Sequence, residues 1–143
     1  MNQTVELLQR TLENARMGED ACGQLLDKAK NQQMREELMR QQEDYRTVIR
    51  SAEKQLYAAG GTPEAKPALS RMGAWMGMEM STMMDKTPEH LADLVIQGAT
   101  MGVIEMTKAL NSYDGADAAA RDLASRFVVQ QNETIDRQKV FLT

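Results

Sequence analysis

Aromatic residues are scarce in this chain, with two Phe, three Tyr and one Trp among 143 residues. A core short of rings must be filled by Leu, Met, Ile, Val and Ala, which suits helix-on-helix packing better than a sandwich of sheets. Cysteine occurs once, as Cys22, so no internal disulfide can form and the fold does not depend on an oxidising compartment. Histidine also occurs once, as His90. There is no cluster of Lys and Arg. The formal charge is −4, and acidic and basic residues alternate as on solvated helix faces. That balance argues against a nucleic-acid partner, whose phosphates demand a concentrated positive patch. No apolar run approaches the ~20 residues needed to span a bilayer. The start, Met1, Asn2, Gln3 and Thr4, lacks the basic and apolar stretches of a signal peptide. The expected setting is therefore cytoplasmic, away from the membrane. Also missing are a Gly-rich phosphate loop, a Cys-His or Ser-His pairing and a paired-Cys metal motif.

What is present has the balance of an ordinary globular protein, 42% hydrophobic and 27% charged. The length suits one domain, 1–143, with a sizeable core. Prolines stand only at 63, 67 and 88, and this punctuation divides the chain. Residues 3–30 carry Val5, Leu8, Leu12, Ala15, Glu19, Cys22, Leu26 and Ala29, alternating in steps of three and four as a packed helix requires. Residues 33–59 repeat the pattern with Leu38, Tyr45, Val48, Ile49, Ala52 and Leu56. Gly60, Gly61, Thr62 and Pro63 stop that helix, with Gly where a left-handed cap is wanted. Thr87, Pro88 and Glu89 open the next one: a capping hydroxyl, a proline at the first helical position and a carboxylate at the positive end of the dipole. Asp114 and Gly115 end it near 112, and a last helix runs from about 116 to 142. Short links make two antiparallel hairpins, and about 26 residues, 61–86, connect them. The expected fold is all-α: a bundle of four long helices with a methionine-rich crossover helix between about 68 and 84.

Two hairpins joined by one long crossover resemble the ferritin-like superfamily, which includes rubrerythrin, over nearly the whole length and in architecture more than in motifs. The chain looks closest to bacterial members of that superfamily. The resemblance implies a pair of irons held by four Glu and two His, reacting with oxygen or peroxide. Carried onto this chain, the ligand set is degenerate. Glu19 and Glu105 fall where two helices would each give a Glu. Gln42 and Tyr45 stand at one Glu-x-x-His, and Gln131 and Thr134 at the other. His90 is far from all of them, in the first turn of a helix. Two Glu, two Gln, a Tyr and a Thr supply too little anionic oxygen and no imidazole. The expectation is a vestigial polar layer holding no cofactor. The alternative is a metal-binding protein or oxidoreductase with an unusual ligand set, drawing on Glu43 or Glu133 and holding iron or manganese. Inward carboxylates at 19 and 105 would need a hydrogen bond, a countercharge or a proton.

Met72, Met76, Met78, Met80, Met83 and Met84 crowd the crossover. On a helical wheel Leu69, Met72, Met76, Met80 and Met83 share one face, the one expected to lie on the bundle. Met78 points away, with Trp75 to one side. Three readings are open: adaptable filling of a groove, a sticky face that meets another subunit, or thioethers gathered for Cu(I). Gly73 and Gly77, one turn apart, would let this helix approach its neighbour closely. Cys22 reads as a small buried hydrophobe and His90 as a surface residue. The functional expectation is a non-enzymatic bundle acting through its surfaces, as a homodimer or with a protein partner, with Trp75 and Met78 in the interface.

Overall fold

In the structure, a computed structural model, residues 2–64 and 71–143 are described, the side chains of Arg71 and Met72 aside. Leu69 and Met72, two of the residues expected on the inner face of the crossover, thus lie outside the described side chains. The element order is α1 (Gln3–Lys28), α2 (Gln32–Ala58), α3 (Arg71–Thr82), α4 (Pro88–Ser112) and α5 (Ala118–Gln138), followed by a 3-10 turn at Lys139–Phe141. The fold is all-α, four long packed helices with the short α3 between α2 and α4. The last helix stops at Gln138 rather than 142, where the chain tightens into the 3-10 turn.

Each long helix begins on a side chain that accepts a hydrogen bond from a backbone N–H three residues on. Asn2 serves Val5, Asn31 serves Met34, Thr87 serves His90 and Asp117 serves Ala120. These caps satisfy donors that would otherwise be orphaned at the helix start. The end of α2 is a Schellman turn. Gly60 takes φ +83°, and the N–H groups of Gly61 and Gly60 donate to the carbonyls of Leu56 and Tyr57 at 2.9 and 3.1 Å.

The two hairpins are closed alike. Arg35 of α2 donates to the carbonyls of Leu26 and Ala29, and Arg121 of α5 donates to those of Leu110 and Tyr113. In each case a cation from the following helix sits on the negative end of the one before it. The hairpins then pack on one another. Arg137 pairs with Glu37, while Tyr45 meets Gln131, so α2 and α5 run antiparallel. Gln3 and Thr4 accept from the N–H groups of Gly115 and Asp117, tying the start of α1 to the α4–α5 link.

The core follows heptads. Leu8, Ala15, Cys22 and Ala29 with Thr11 and Leu25 line α1, Leu38, Tyr45, Ala52, Gln41 and Val48 line α2, and Ala120, Ala124, Phe127, Gln131, Thr134 and Gln138 line α5. The crossover begins along α1, where Gln9 donates to the Thr62 carbonyl and Arg16 to that of Glu64. Helix α3 then lies over the α1–α4 groove, with Met80 buried and Trp75, Met76 and Met83 packed against the core.

Candidate functional site

The centre of the bundle is where α1, α2 and α5 bring polar side chains inward, and it is built around two glycines. Gly18 of α1 occupies a core heptad position between Thr11 and Leu25. A Cβ placed there would stand 2.4 Å from ring atoms of Tyr45. The missing side chain is thus the space that Tyr45 of α2 fills. Its ring meets Phe127 of α5 edge-on, with centroids 6.1 Å apart. The phenol donates to Gln131 Oε1 at 3.0 Å. Gly102 of α4 faces the same amide from the other side, its position for a Cβ being 3.6 Å from Gln131 Oε1.

Next to this pair, the Cys22 thiol donates weakly to Gln41 Oε1 at 3.8 Å, and Gln41 in turn donates to Glu37. Thr134 is buried one turn further along α5. Burial pushes the Cys22 thiol up to about 12, with Glu19, Glu37 and Asp44 adding to the shift. Burial also pushes the Tyr45 phenol upward, more strongly than its hydrogen bond to Gln131 pulls it back. Both therefore stay protonated across the ordinary pH range. A cavity of about 40 Å³ opens beside them, lined among others by Asn14, Gln41, Tyr45, Gln131, Gly98 and, from α3, Met76.

Of the six positions singled out in the sequence, the structure brings Tyr45 and Gln131 into contact and buries Thr134. The other three are displaced by one residue. Glu19 is not in the seam: it turns outward to Arg46, Oε2 to Nε 2.8 Å, with 29% of its side chain exposed. Gln42 sits half-buried over Gly23 of α1, and its neighbour Gln41 takes the core place. Glu105 is exposed, near enough to Glu13 to raise that carboxyl, whose own burial is the larger cause; Met106 is the buried residue.

The reason is common to all three. Steps of three and four can be taken in either order, and the order read from the sequence led to heptad edges, where charges are at home. In α1 and α4 the true stripe also runs through glycines, Gly18 and Gly102, which carry no side chain to mark it. Glu43 pairs with Arg46 and Arg50 on the surface, and Glu133 approaches Arg137 at 4.0 Å. Neither enters the core. His90 is half-buried at the start of α4 beside an open groove that Asp85, Glu89 and Asp93 also line. Among the described residues no group of three or more His, Cys, Asp and Glu is placed to hold a metal ion.

On the crossover, Met78 is 67% and Met84 92% exposed. Trp75 departs from its expected outward position. It is half-buried against α4, its Cζ3 lying 3.6 Å from where a Cβ of Gly98 would be, with Met76 Cε at 3.4 Å. Gly98 of α4 thus lies where α3 comes near, while Gly77 of α3 faces nothing within 4 Å. Asn14 is a site residue with no mark in the sequence pattern. It sits 8% exposed on the core side of α1, and a buried Asn between Glu13 and Ala15 leaves no signal in a hydrophobic pattern.

A family model described as "Domain of unknown function (DUF2383)" matches residues 3–112, from α1 through the end of α4. Among solved structures the chain is similar to one titled "Crystal structure of DUF305 fragment from Deinococcus radiodurans". The likeness covers 98% of this chain and 95% of that one, with a TM-score of 0.78 at 19% identity. At that identity it speaks to the fold alone. No curated protein matches the chain.

Proposed function

We infer that this chain, which belongs to the family described as Domain of unknown function (DUF2383), is a ferritin-like bundle whose mid-bundle metal layer has been exchanged for a neutral one. It acts through its surfaces rather than by catalysis. The connectivity, two hairpins around one crossover, supports the first half of this reading. The observation that carries the second half is the Tyr45–Gln131 hydrogen bond over Gly18. A dinuclear centre needs several carboxylates and imidazoles pointing inward, both to balance the metal charge and to complete its coordination. Here the inward set is a phenol, amides, a thiol and a hydroxyl, while Glu19 is engaged by Arg46 and Glu105 faces out. That donor set does not fit iron or manganese.

Metal analysis tests the inference directly. Chain produced in iron- and manganese-supplemented medium without chelators should carry far less than one metal per bundle. What it carries should not change in a Tyr45→Phe, Gln131→Leu variant. Near-stoichiometric iron or manganese that this variant loses would turn the reading to a redox or metal-binding protein with an unusual ligand set.

The surface we infer to matter is the outer side of α3 with the link that follows it, and its partner is a second copy of the chain in a two-fold dimer. Met78 and Met84 supply exposed, adaptable apolar contact there. Trp75 borders that surface from its seat on α4. Met78→Ser with Met84→Ser should convert a dimer to a monomer in sedimentation while leaving the melting of the bundle unchanged. A wild type that sediments as a monomer at high micromolar concentration removes the dimer from the account.

A further inference from the structure

The chamber beside Tyr45 has chemistry that neither the surface reading nor the hydrogen-bonded layer uses. We propose that it is a binding site for a small uncharged hydroxyl compound, either water or a short-chain alcohol, donating to the side-chain carbonyl of Asn14.

The first observation is an orphaned acceptor. Asn14 lines the chamber and is 8% exposed, yet its Oδ1 has no hydrogen-bond partner among the described residues. The other end of the amide is committed: Nδ2 donates to the Arg10 carbonyl at 2.9 Å. That donation settles which way the amide lies, so the open end is an acceptor and the guest must bring a proton. Buried polar atoms of this kind are almost always satisfied, by water if by nothing else.

The second observation is the absence of charge. The polar groups of the lining are the Asn14 and Gln41 amides, the Tyr45 phenol, the Gln131 amide and the Cys22 thiol. None is ionised, and an ion buried against them would have no countercharge. The third is size. About 40 Å³ admits roughly one to three waters, hence a guest of only a few heavy atoms. Leu94, Val95 and Phe127 give the remaining wall an apolar character that suits a short alkyl end. From α3, Met76 also lines the chamber, and its unbranched side chain reorients easily.

This inference stands apart from the surface-acting reading, and each can fail alone. Two variants interrogate the site without threatening the fold. At Gly102 an added Cβ meets Gln131 Oε1 at 3.6 Å, an ordinary contact, so Gly102→Ala fits and takes up chamber volume. Asn14→Leu removes the acceptor at similar size. The probes are water itself, methanol and xenon, followed through the amide resonances of Asn14, Gly98 and Gly102.

Wild type should show cross-relaxation from a long-lived water to the Gly98 or Gly102 amide, chamber groups that Asn14→Leu leaves in place. Methanol should move the Gly98 and Gly102 resonances along a saturating curve. Gly102→Ala should weaken methanol binding at least ten-fold, and Asn14→Leu should abolish the water signal with the rest of the spectrum retained. Bound water together with a strictly linear methanol response assigns the hydroxyl site to water alone. A chamber that shows no bound water and fills with xenon is dry and apolar, and that result overturns the proposal. So does a methanol curve identical in wild type and both variants.

Discussion

The four long helices and α3 are built on different terms. Each long helix carries its own start signal, Asn2, Asn31, Thr87 or Asp117, and its own heptad seam. They meet through side chains that are almost wholly buried. Helix α3 spans 12 residues, about the length at which an isolated helix is marginal in water. It holds its place by resting Trp75, Met76 and Met80, with Met83 just beyond its end, on a groove that α1 and α4 have already made. One part of the molecule specifies its geometry locally and cooperatively, and the other borrows it. The contrast suggests a bundle that unfolds as one unit, with α3 able to lift away first.

The largest effect that bears on this contrast is expected at Phe127, fully buried in α5 and in edge contact with Tyr45. Phe127→Ala should cost ~3–5 kcal/mol in urea or thermal unfolding, the usual loss for a large ring deleted from a core. Trp75→Ala removes a larger ring, yet one only half-buried on α4. Its loss should be about 2 kcal/mol, from the smaller apolar area returned to water. It should also appear mainly as faster amide exchange in α3. If Trp75→Ala lowers the global midpoint as far as Phe127→Ala does, α3 is an integral part of the core and the contrast breaks.

A smaller effect sharpens the account of the bundle itself. At Gly18 even a methyl group would collide with the Tyr45 ring, which is held by its edge contact with Phe127 and its hydrogen bond to Gln131. Overpacking of this kind costs ~1–3 kcal/mol. The better helix propensity of Ala returns ~1 kcal/mol of it, so Gly18→Ala should destabilise by about 1 kcal/mol. In a Tyr45→Leu background the same change should become neutral or stabilising, because the atoms it would strike are gone. Double-mutant coupling of that sign ties the two positions together. Stabilisation by Gly18→Ala alone would show the ring moves aside freely and the central layer is loosely held.

Much of the fold was legible because helix ends are local chemistry. Thr87 before Pro88, and Gly60 before Gly61, can be read without knowing what lies across the bundle. Rotation about each helix axis was less legible. Glu19, Gln42 and Glu105 each stand one residue from the core position that Gly18, Gln41 and Met106 hold. Charge or amide at the edge of a stripe looks functional, whereas glycine in the stripe looks like nothing. The capping roles of Arg35 and Arg121 were illegible for another reason: they join residues of one helix to carbonyls of another. For α3 the sequence offered a wheel but no reference direction. The wheel therefore puts Trp75 outward, although the α1–α4 groove turns it in.

The smallest effect separates the two regions most cleanly. Gly77 sits within α3, is exposed, and has nothing within 4 Å of the place a Cβ would occupy. Gly77→Ala therefore adds no contact and creates no clash; it changes only the cost of being helical, by ~1 kcal/mol in favour of helix. Where that free energy appears depends on how α3 opens. If α3 lifts from the bundle independently, its amides exchange through that local opening, and the substitution should slow them roughly five-fold. The unfolding midpoint of the long helices should then stay where it is, because α3 is already detached when they melt. If α3 unfolds only together with the bundle, the same ~1 kcal/mol must raise global stability, and amides throughout α1, α2, α4 and α5 should slow with those of α3. Native-state hydrogen exchange with urea melting of the two proteins reads both quantities at once. A shifted midpoint with uniform slowing would show that α3, despite its borrowed seat, is part of a single cooperative unit.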